Sequence, residues 1–235
     1  MKIPVLSYHS INNDKSKLSL DVNIFEKQIK YLKKRGFVTC KTNLINNKKK
    51  QIIITFDDGY KDILLNAMPV LKKYDFTATC FLITNMIGKK NFWDSGKKNY
   101  ISKELMTEDD IKFWLSNGMS IGSHSHNHYD LTKLKLDNLN EELLISKKIL
   151  EDKFGQKIDN FCYPYGKVNK IVFEKTKNIF IKAFTTNRAR FDTDNHDFCL
   201  IPRIDMGKDI SFFKIFLKLE TIYEDIKFKK NELYL

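Results

Sequence analysis

Apolar and polar positions alternate in blocks along this chain. Short runs rich in β-branched and aromatic side chains, at residues 3–8, 52–56, 77–83, 119–123, 160–163, 180–185 and 198–201, read as strands. Between them come polar corners and stretches of helical period. Val22, Phe25, Ile29 and Leu32 mark a helix over 22–35, and Gly36 stands where a left-handed C-terminal cap is expected. Thr107 opens a second helix as T-x-x-D, with Asp110 as its capping-box partner. Asn140 precedes a third, which runs through Phe154 and stops at Gly155. Beyond Asp209, the three- and four-residue steps between Phe212, Phe216, Leu219, Tyr223 and Ile226 predict an amphipathic helix. Strands alternating with helices predict an α/β fold with a parallel sheet, and about seven such units fit a distorted, nearly closed (β/α) barrel better than an open sheet. The expected organisation is one domain over 1–208 with a C-terminal helix over 209–235 packed on it. Functional residues then belong at the C-terminal ends of the strands.

Composition narrows the function classes. The chain has 235 residues, 41 Lys+Arg against 29 Asp+Glu, and a formal charge of +12. Only Arg35, Arg188, Arg190 and Arg203 are arginine, which disfavours a specific nucleic-acid reader, since such proteins use the guanidinium fork. No apolar stretch approaches the roughly 20 residues of a transmembrane helix, and no export signal follows Met1-Lys2. Cys40, Cys80, Cys162 and Cys199 are too scattered for a disulfide framework and read as reduced thiols. These features predict a cytoplasmic protein, placed at the inner face of the membrane if its charge engages lipid. The run Asn46-Asn47-Lys48-Lys49-Lys50 reads as a solvated loop. In the C-terminal helix Glu220, Glu224 and Asp225 would oppose an anionic surface, so packing against the barrel is expected. Peripheral membrane contact through Lys227–Lys230 is the alternative.

Three segments could carry chemistry. In Ile52–Tyr60 an apolar strand delivers two adjacent carboxylates, Asp57 and Asp58, followed by Gly59 and Tyr60. Side by side they repel, so a nearby cation would be needed to keep both charged; the plain alternative is an Asp-Asp-Gly turn. In Gly122–His128 three of the five histidines fall within five residues, a density suited to binding a divalent transition metal. His124 and His126 share a face if the strand continues; His124 and His128 converge if the chain turns. In Phe161-Cys162-Tyr163-Pro164-Tyr165-Gly166 the proline and glycine shape a rigid aromatic wall, or simply a strand ending in a turn.

Together, T-F-D-D-G-Y at Thr55–Tyr60, H-S-x-x-H at His124–His128 and F-x-Y-P-Y-G at Phe161–Gly166, with Tyr8-His9 near the start, resemble the polysaccharide deacetylase family. These are the NodB-homology carbohydrate esterases of family 4, and the likeness is to their exopolysaccharide N-deacetylase branch, over about residues 1–205. The resemblance implies a distorted (β/α) barrel with a divalent metal, zinc foremost and cobalt or nickel as alternatives. It implies Asp57 as general base, Asp58, His124 and His128 as metal ligands, and the backbone N–H of Tyr165 as oxyanion donor, with Pro164, Gly59 and Tyr60 shaping the substrate site. Two histidines and one carboxylate leave open positions for water and a substrate carbonyl. The implied substrate is an N-acetylated amino sugar in a surface glycan or its lipid-linked precursor, with no nucleic-acid partner.

Two departures stand out. No late L-x-H motif supplies the family's usual acid, which leaves His9, His196 or Asp57 itself to protonate the leaving amine. The family's arginine near the third motif is also absent, and Arg203 is the expected partner that orients Asp57. An O-acetyl sugar esterase, or a glycan-binding member of the fold without turnover, are the alternatives.

Overall fold

The computed structural model describes residues 1–40, 50–96, 100–208 and 211–228. The main sheet is built from β1 (Val5–Tyr8), β2 (Phe37–Thr39), β3 (Lys50–Phe56), β4 (Thr79–Leu82), β5 (Ser120–Ser123), β6 (Asn160–Cys162), β7 (Lys182–Phe184) and β8 (Ile204–Asp205). Seven of them run in the order β7-β6-β5-β4-β3-β1-β8 with every neighbouring pair parallel, and β2 pairs in parallel along the start of β3. Around them lie α1 (Val22–Lys34), α2 (Met68–Lys73), α3 (Glu108–Ser116), α4 (Leu136–Phe154), α5 (Lys170–Ile179) and α6 (Phe212–Glu220). This is the expected α/β barrel-like fold, a seven-stranded sheet curled into a half-barrel.

The strands are apolar on both faces because both are covered. Ile52, Ile54 and Phe56 of β3 pack outward into a large core under the helices, while Ile53 points the other way. With Val5, Phe81, Cys162, Phe184 and Ile201 it fills the inside of the curl, one residue from each element. β5 contributes no inward side chain because Gly122 faces the Phe81 ring. A Cβ there would stand 2.6 Å from that ring and 2.9 Å from the Asn160 carbonyl oxygen.

Local signals set most boundaries. Asp21 caps α1 through the Asn23 and Ile24 amides, and Gly36 follows with φ 76°. Thr107 and Asp110 form the complete capping box of α3. α4 ends at Gly155 with φ 62° as expected, but begins at Leu136 rather than after Asn140. Its buried stripe of Leu139, Leu143, Ser146 and Leu150 extends the helix through the asparagine, so packing overrides the capping signal. The apolar run 198–201 is not a strand. Ile201 makes one parallel bridge to Phe184, and Pro202, which lacks an N–H, postpones the ladder to β8. Residues 201–205 thereby run from one edge of the curled sheet to the other, since Ile204 pairs with Leu6 of β1.

The C-terminal helix is shorter than its pattern predicts. α6 buries Ile215 and Leu219 in the core and stops at Glu220, Thr221 being extended; a short turn over Asp225–Lys227 follows. Each of the three acids expected to oppose an anionic surface is taken by an arginine. Glu220 pairs with Arg35, Lys50 and the Tyr31 hydroxyl, Glu224 bidentately with Arg188 at 2.9 Å, and Asp225 with Arg190. Asp209, Lys229 and Lys230 lie outside the described residues, as do the first four residues of Asn46–Lys50; Lys50 itself opens β3 rather than lying in a loop. No helix among the described residues is long and apolar enough to cross a membrane.

Candidate active site

The three motifs meet at the C-terminal ends of β3, β5 and β6. β3 ends at Phe56, so Asp57 and Asp58 are the first residues beyond it, both almost fully buried. Asp58 adopts φ 72°, a left-handed conformation that sends the two carboxylates to different partners. Ser125, His128 and Tyr165 are also left-handed, at 65°, 62° and 59°. Only Asp75 joins them among the described non-glycine residues, so this conformation is concentrated at the site, where each instance costs about 1–3 kcal/mol.

The bends at Ser125 and His128 decide which histidines converge. His124 Nε2 and His128 Nε2 lie 3.4 and 3.5 Å from Asp58 Oδ1, while His126 turns aside to Thr84 Oγ1 at 2.8 Å. The loop is held from below by buried Glu142, whose carboxylate accepts from the His126 and Asn127 amides at 3.0 and 2.8 Å and from the Asn127 side chain. His124 donates Nδ1–H to the Cys162 carbonyl at 2.7 Å, which fixes the ring with Nε2 toward Asp58. Burial, and then the charge of His124, push the His128 imidazole down to about 3, so it is neutral, the form that ligates. Its Nδ1 is buried without a partner.

This set fits a tetrahedral divalent ion. Two donors each about 2.0–2.1 Å from a tetrahedral centre stand roughly 3.3–3.4 Å apart, close to the separations measured here. A second grouping, Asp57 with His124 and Cys162, also lies within 4.8 Å, but its donors are committed elsewhere. Both Asp57 oxygens are held by Arg203, Nη1 to Oδ1 and Nη2 to Oδ2, each at 2.7 Å, and the Cys162 thiol approaches Oδ2 at 3.6 Å. Arg203 is itself fixed, donating Nε–H to the Thr185 carbonyl at 2.8 Å and reaching Thr55 Oγ1 at 3.2 Å. Burial alone would raise the Asp57 carboxyl, but the charge and hydrogen bonds of Arg203 outweigh it and hold the group well below the carboxylate range. Asp58 is lowered too, its hydrogen bond from His124 and the imidazole charges outweighing burial.

Over these groups lies a cavity of about 190 Å³ walled by His9, Leu18, Trp93, Tyr165 and Thr186. His9 Nε2 is 3.9 Å from Asp57 Oδ2 and the side chain is partly exposed. His196 is elsewhere, stacked on Phe228 at 4.9 Å and accepting from the Asp192 amide. Pro164 starts the tight turn that presents Tyr165, whose ring lies 4.6 Å from that of His128. Gly166 is required in that turn, because a Cβ would fall 1.9 Å from Thr186 Oγ1. Gly59 follows Asp58 with φ 80°, and a Cβ there would stand 2.9 Å from Leu82 Cδ2. Tyr60 is only 1% exposed, its ring 6.4 Å from that of Trp93 in the cavity wall.

Sequence reading overlooked Trp93, Leu18 and Thr186, which lie on loops with no periodicity or motif to mark them. A buried lysine ties the Leu18 loop to the Trp93 segment, Lys103 Nζ bonding Asp14 at 2.6 Å and Ser19 at 2.7 Å while its amide donates to Asn91 Oδ1 at 2.8 Å. Glu142 was also unmarked, since at the sequence level it is one more acid on a helix.

A family model described as polysaccharide deacetylase matches residues 45–184, more than half of the chain. This chain belongs to the polysaccharide deacetylase family. It is 35% identical over 177 residues to the Bacillus subtilis protein YxkH, covering 72% of this chain and 58% of that one, so it spans less than two thirds of this relative. It is 29% identical over 218 residues to the poly-β-1,6-N-acetyl-D-glucosamine N-deacetylase of Staphylococcus aureus, covering 86% and 72% of the two chains. Among solved structures, the Streptococcus pyogenes deacetylase PplD in complex with acetate superposes with a TM-score of 0.80 at 25% identity, over 94% of this chain and 99% of that one. The similarity of fold therefore extends well past the residues that the family model matches, over nearly the whole chain.

Proposed function

We propose that this chain is a metal-dependent hydrolase that removes acetyl from an N-acetylated amino sugar of a surface glycan or of its lipid-linked precursor. The observation that carries the reading is the pairing of two differently equipped carboxylates. Asp57 is clamped by Arg203, and Asp58 is joined to two imidazoles at ligand spacing. Kinship with the staphylococcal N-deacetylase supports the substrate class, and the acetate bound to the streptococcal deacetylase supports acetyl as the group removed.

Asp58, His124 and His128 would hold the ion, zinc by the preference of two imidazoles and a carboxylate. Bound there, it supplies a water of lowered pKa and a Lewis acid for the acetamide oxygen. Asp57, kept ionised by Arg203, accepts the proton of the attacking water. Arg203 fixes the plane of that carboxylate by holding both its oxygens. The Tyr165 N–H meets the negative charge that develops on the carbonyl oxygen. His9 donates the proton to the leaving amine. It stands beside Asp57 at the cavity wall, and a carboxyl held so acidic carries a proton less readily on its own.

Acetate release from N-acetylglucosamine oligomers tests the reading. It is expected to disappear on chelation and in Asp57→Asn, and an absence of release from every such sugar by zinc-loaded protein would sink it. The same oligomers bearing O-acetyl groups separate amidase from esterase action. In His9→Ala the basic limb of the pH–rate profile is expected to be lost, whereas His196→Ala should leave it in place. An unchanged limb in both variants would return the acid role to Asp57.

A further inference from the structure

The cavity over Asp57 shares His9, Leu18, Thr186 and Arg203 with a neighbour of about 350 Å³. That neighbour shares Arg188 and Asp205 with another of about 560 Å³ on the C-terminal segment. The three make one trough leading from the catalytic groups to α6. The far volume lies within the roughly 300–1,000 Å³ of small-molecule sites. Two exposed aromatic side chains wall it, Phe213 from α6 and Tyr223 from the chain beyond, with Lys214 and Lys227 beside them. Lys227 lies 3.7 Å over the Tyr223 ring. Lys17 and Lys208, both exposed, stand along the middle stretch.

The charge of this trough follows from the ion pairs at its back. Glu220, Glu224 and Asp225 are turned inward to Arg35, Arg188 and Arg190, so these three acids are withdrawn from its surface. Among the described residues walling the two outer cavities, Asp205 is the single carboxylate, against Lys17, Lys208, Lys214, Lys218 and Lys227. Flat aromatic faces bury the apolar face of a sugar ring, and clustered ammonium groups attract phosphate.

We propose that the trough from His9 to Phe213 and Tyr223 binds a phosphate-bearing sugar of the substrate, remote from the acetamide that is cleaved. The identity of the ligand as a glycan rests on the deacetylase reading; the basic, aromatic-walled site does not. The phosphate could belong to the carrier end of a precursor or lie within the glycan.

Three N-acetylglucosamine tetrasaccharides test this with the zinc-loaded full chain: one neutral, one with a reducing-end 1-phosphate, one with a 6-phosphate on the non-reducing unit. Affinity is read by calorimetry and turnover by acetate release. At least one phosphorylated probe should bind about tenfold more tightly than the neutral one, the size of a single charge-assisted contact, with the gain in KM and not in kcat. The gain should vanish in the double variant Lys214→Gln/Lys227→Gln, which processes the neutral probe as before, while Phe213→Ser should weaken phosphorylated and neutral probes alike. The 1-phosphate favoured points to a carrier-linked substrate, the 6-phosphate to a phosphorylated glycan. Equal affinity for all three probes, or a gain that survives the lysine substitutions, overturns the proposal. Lysine-dependent binding of a phosphorylated probe without any turnover keeps the site and overturns the deacetylase reading instead. Lysine-dependent sedimentation with phosphatidylglycerol vesicles and no discrimination among the sugars makes this face a lipid surface and overturns the proposal.

Discussion

Arg203 is the residue on which the site's electrostatics turn. Replacing it with alanine strands a buried carboxylate, and losing one partner of such a pair costs about 3–5 kcal/mol. Arg203→Ala is therefore expected to lower the thermal midpoint by several degrees. With the guanidinium gone, burial raises the Asp57 carboxyl, so the base stays protonated to higher pH and the acidic limb of the pH–rate profile moves upward. An acidic limb that stays in place would show that Arg203 does not set the charge of Asp57. At the proposed metal ligands the readout is stability: zinc at about 100 times its dissociation constant should stabilise the native chain by about 2.7 kcal/mol. His128→Ala should abolish that shift, and a full shift in the variant would remove His128 from the ligand set. The adjacent carboxylates, the histidine cluster and the solitary late arginine were visible in the sequence because unusual residue types stand at strand ends. Which histidines converge was settled by two left-handed residues, Ser125 and His128; serine does not advertise positive φ, and three histidines in a row of five do not say which one takes it.

Among the elements, β5 is the tightest fit. Gly122→Ala places a methyl group against the Phe81 ring and the Asn160 carbonyl, and overpacking of this kind costs about 1–3 kcal/mol, readable in a denaturant melt. A midpoint unchanged by the substitution would show that Phe81 can move aside. The C-terminal segment should respond to acid. Arg35 and Lys50 hold Glu220 down to about 2; for Asp225, Arg190 and Lys2 outweigh burial to reach about 2. Unfolded carboxylates titrate near 3.9–4.3, so the stability from these pairs is complete above that range and is lost as pH falls from about 4 toward 2. Amide exchange in α6 should accelerate across that window, and Glu220→Gln should remove part of the dependence; a pH-independent α6 would count against the ion pairs as its anchor. Strands and caps were legible where period and capping residue agreed, as in α1 and α3. They misled where a longer buried stripe overrode a cap in α4, or where ion pairs ended a helix that its apolar period would have continued in α6.

At the scale of the whole molecule, the parallel curled sheet followed from the alternation of strand and helix, and the function class from three motifs whose chemistry makes sense only together. The charge of +12 offered less, because sequence cannot say which acids are hidden. With Glu220, Glu224 and Asp225 withdrawn, the lysines of the C-terminal trough are left to set the local potential, and raising ionic strength from 0.05 to 0.5 M, a change that about triples the screening, should weaken a phosphorylated substrate and spare a neutral one. Equal salt sensitivity for the two would reduce the surplus to background composition. The bridging segment 201–205 has a further consequence, in time rather than in space. Asp57 and Arg203 are 146 residues apart, and the arginine arrives on the stretch that joins the sheet's two edges. A growing chain therefore exposes or buries an unmatched carboxylate until its closing strand docks, and on the proposed mechanism a partly folded or truncated molecule lacks an oriented base. Hydrolytic activity would then be a mark that folding has finished.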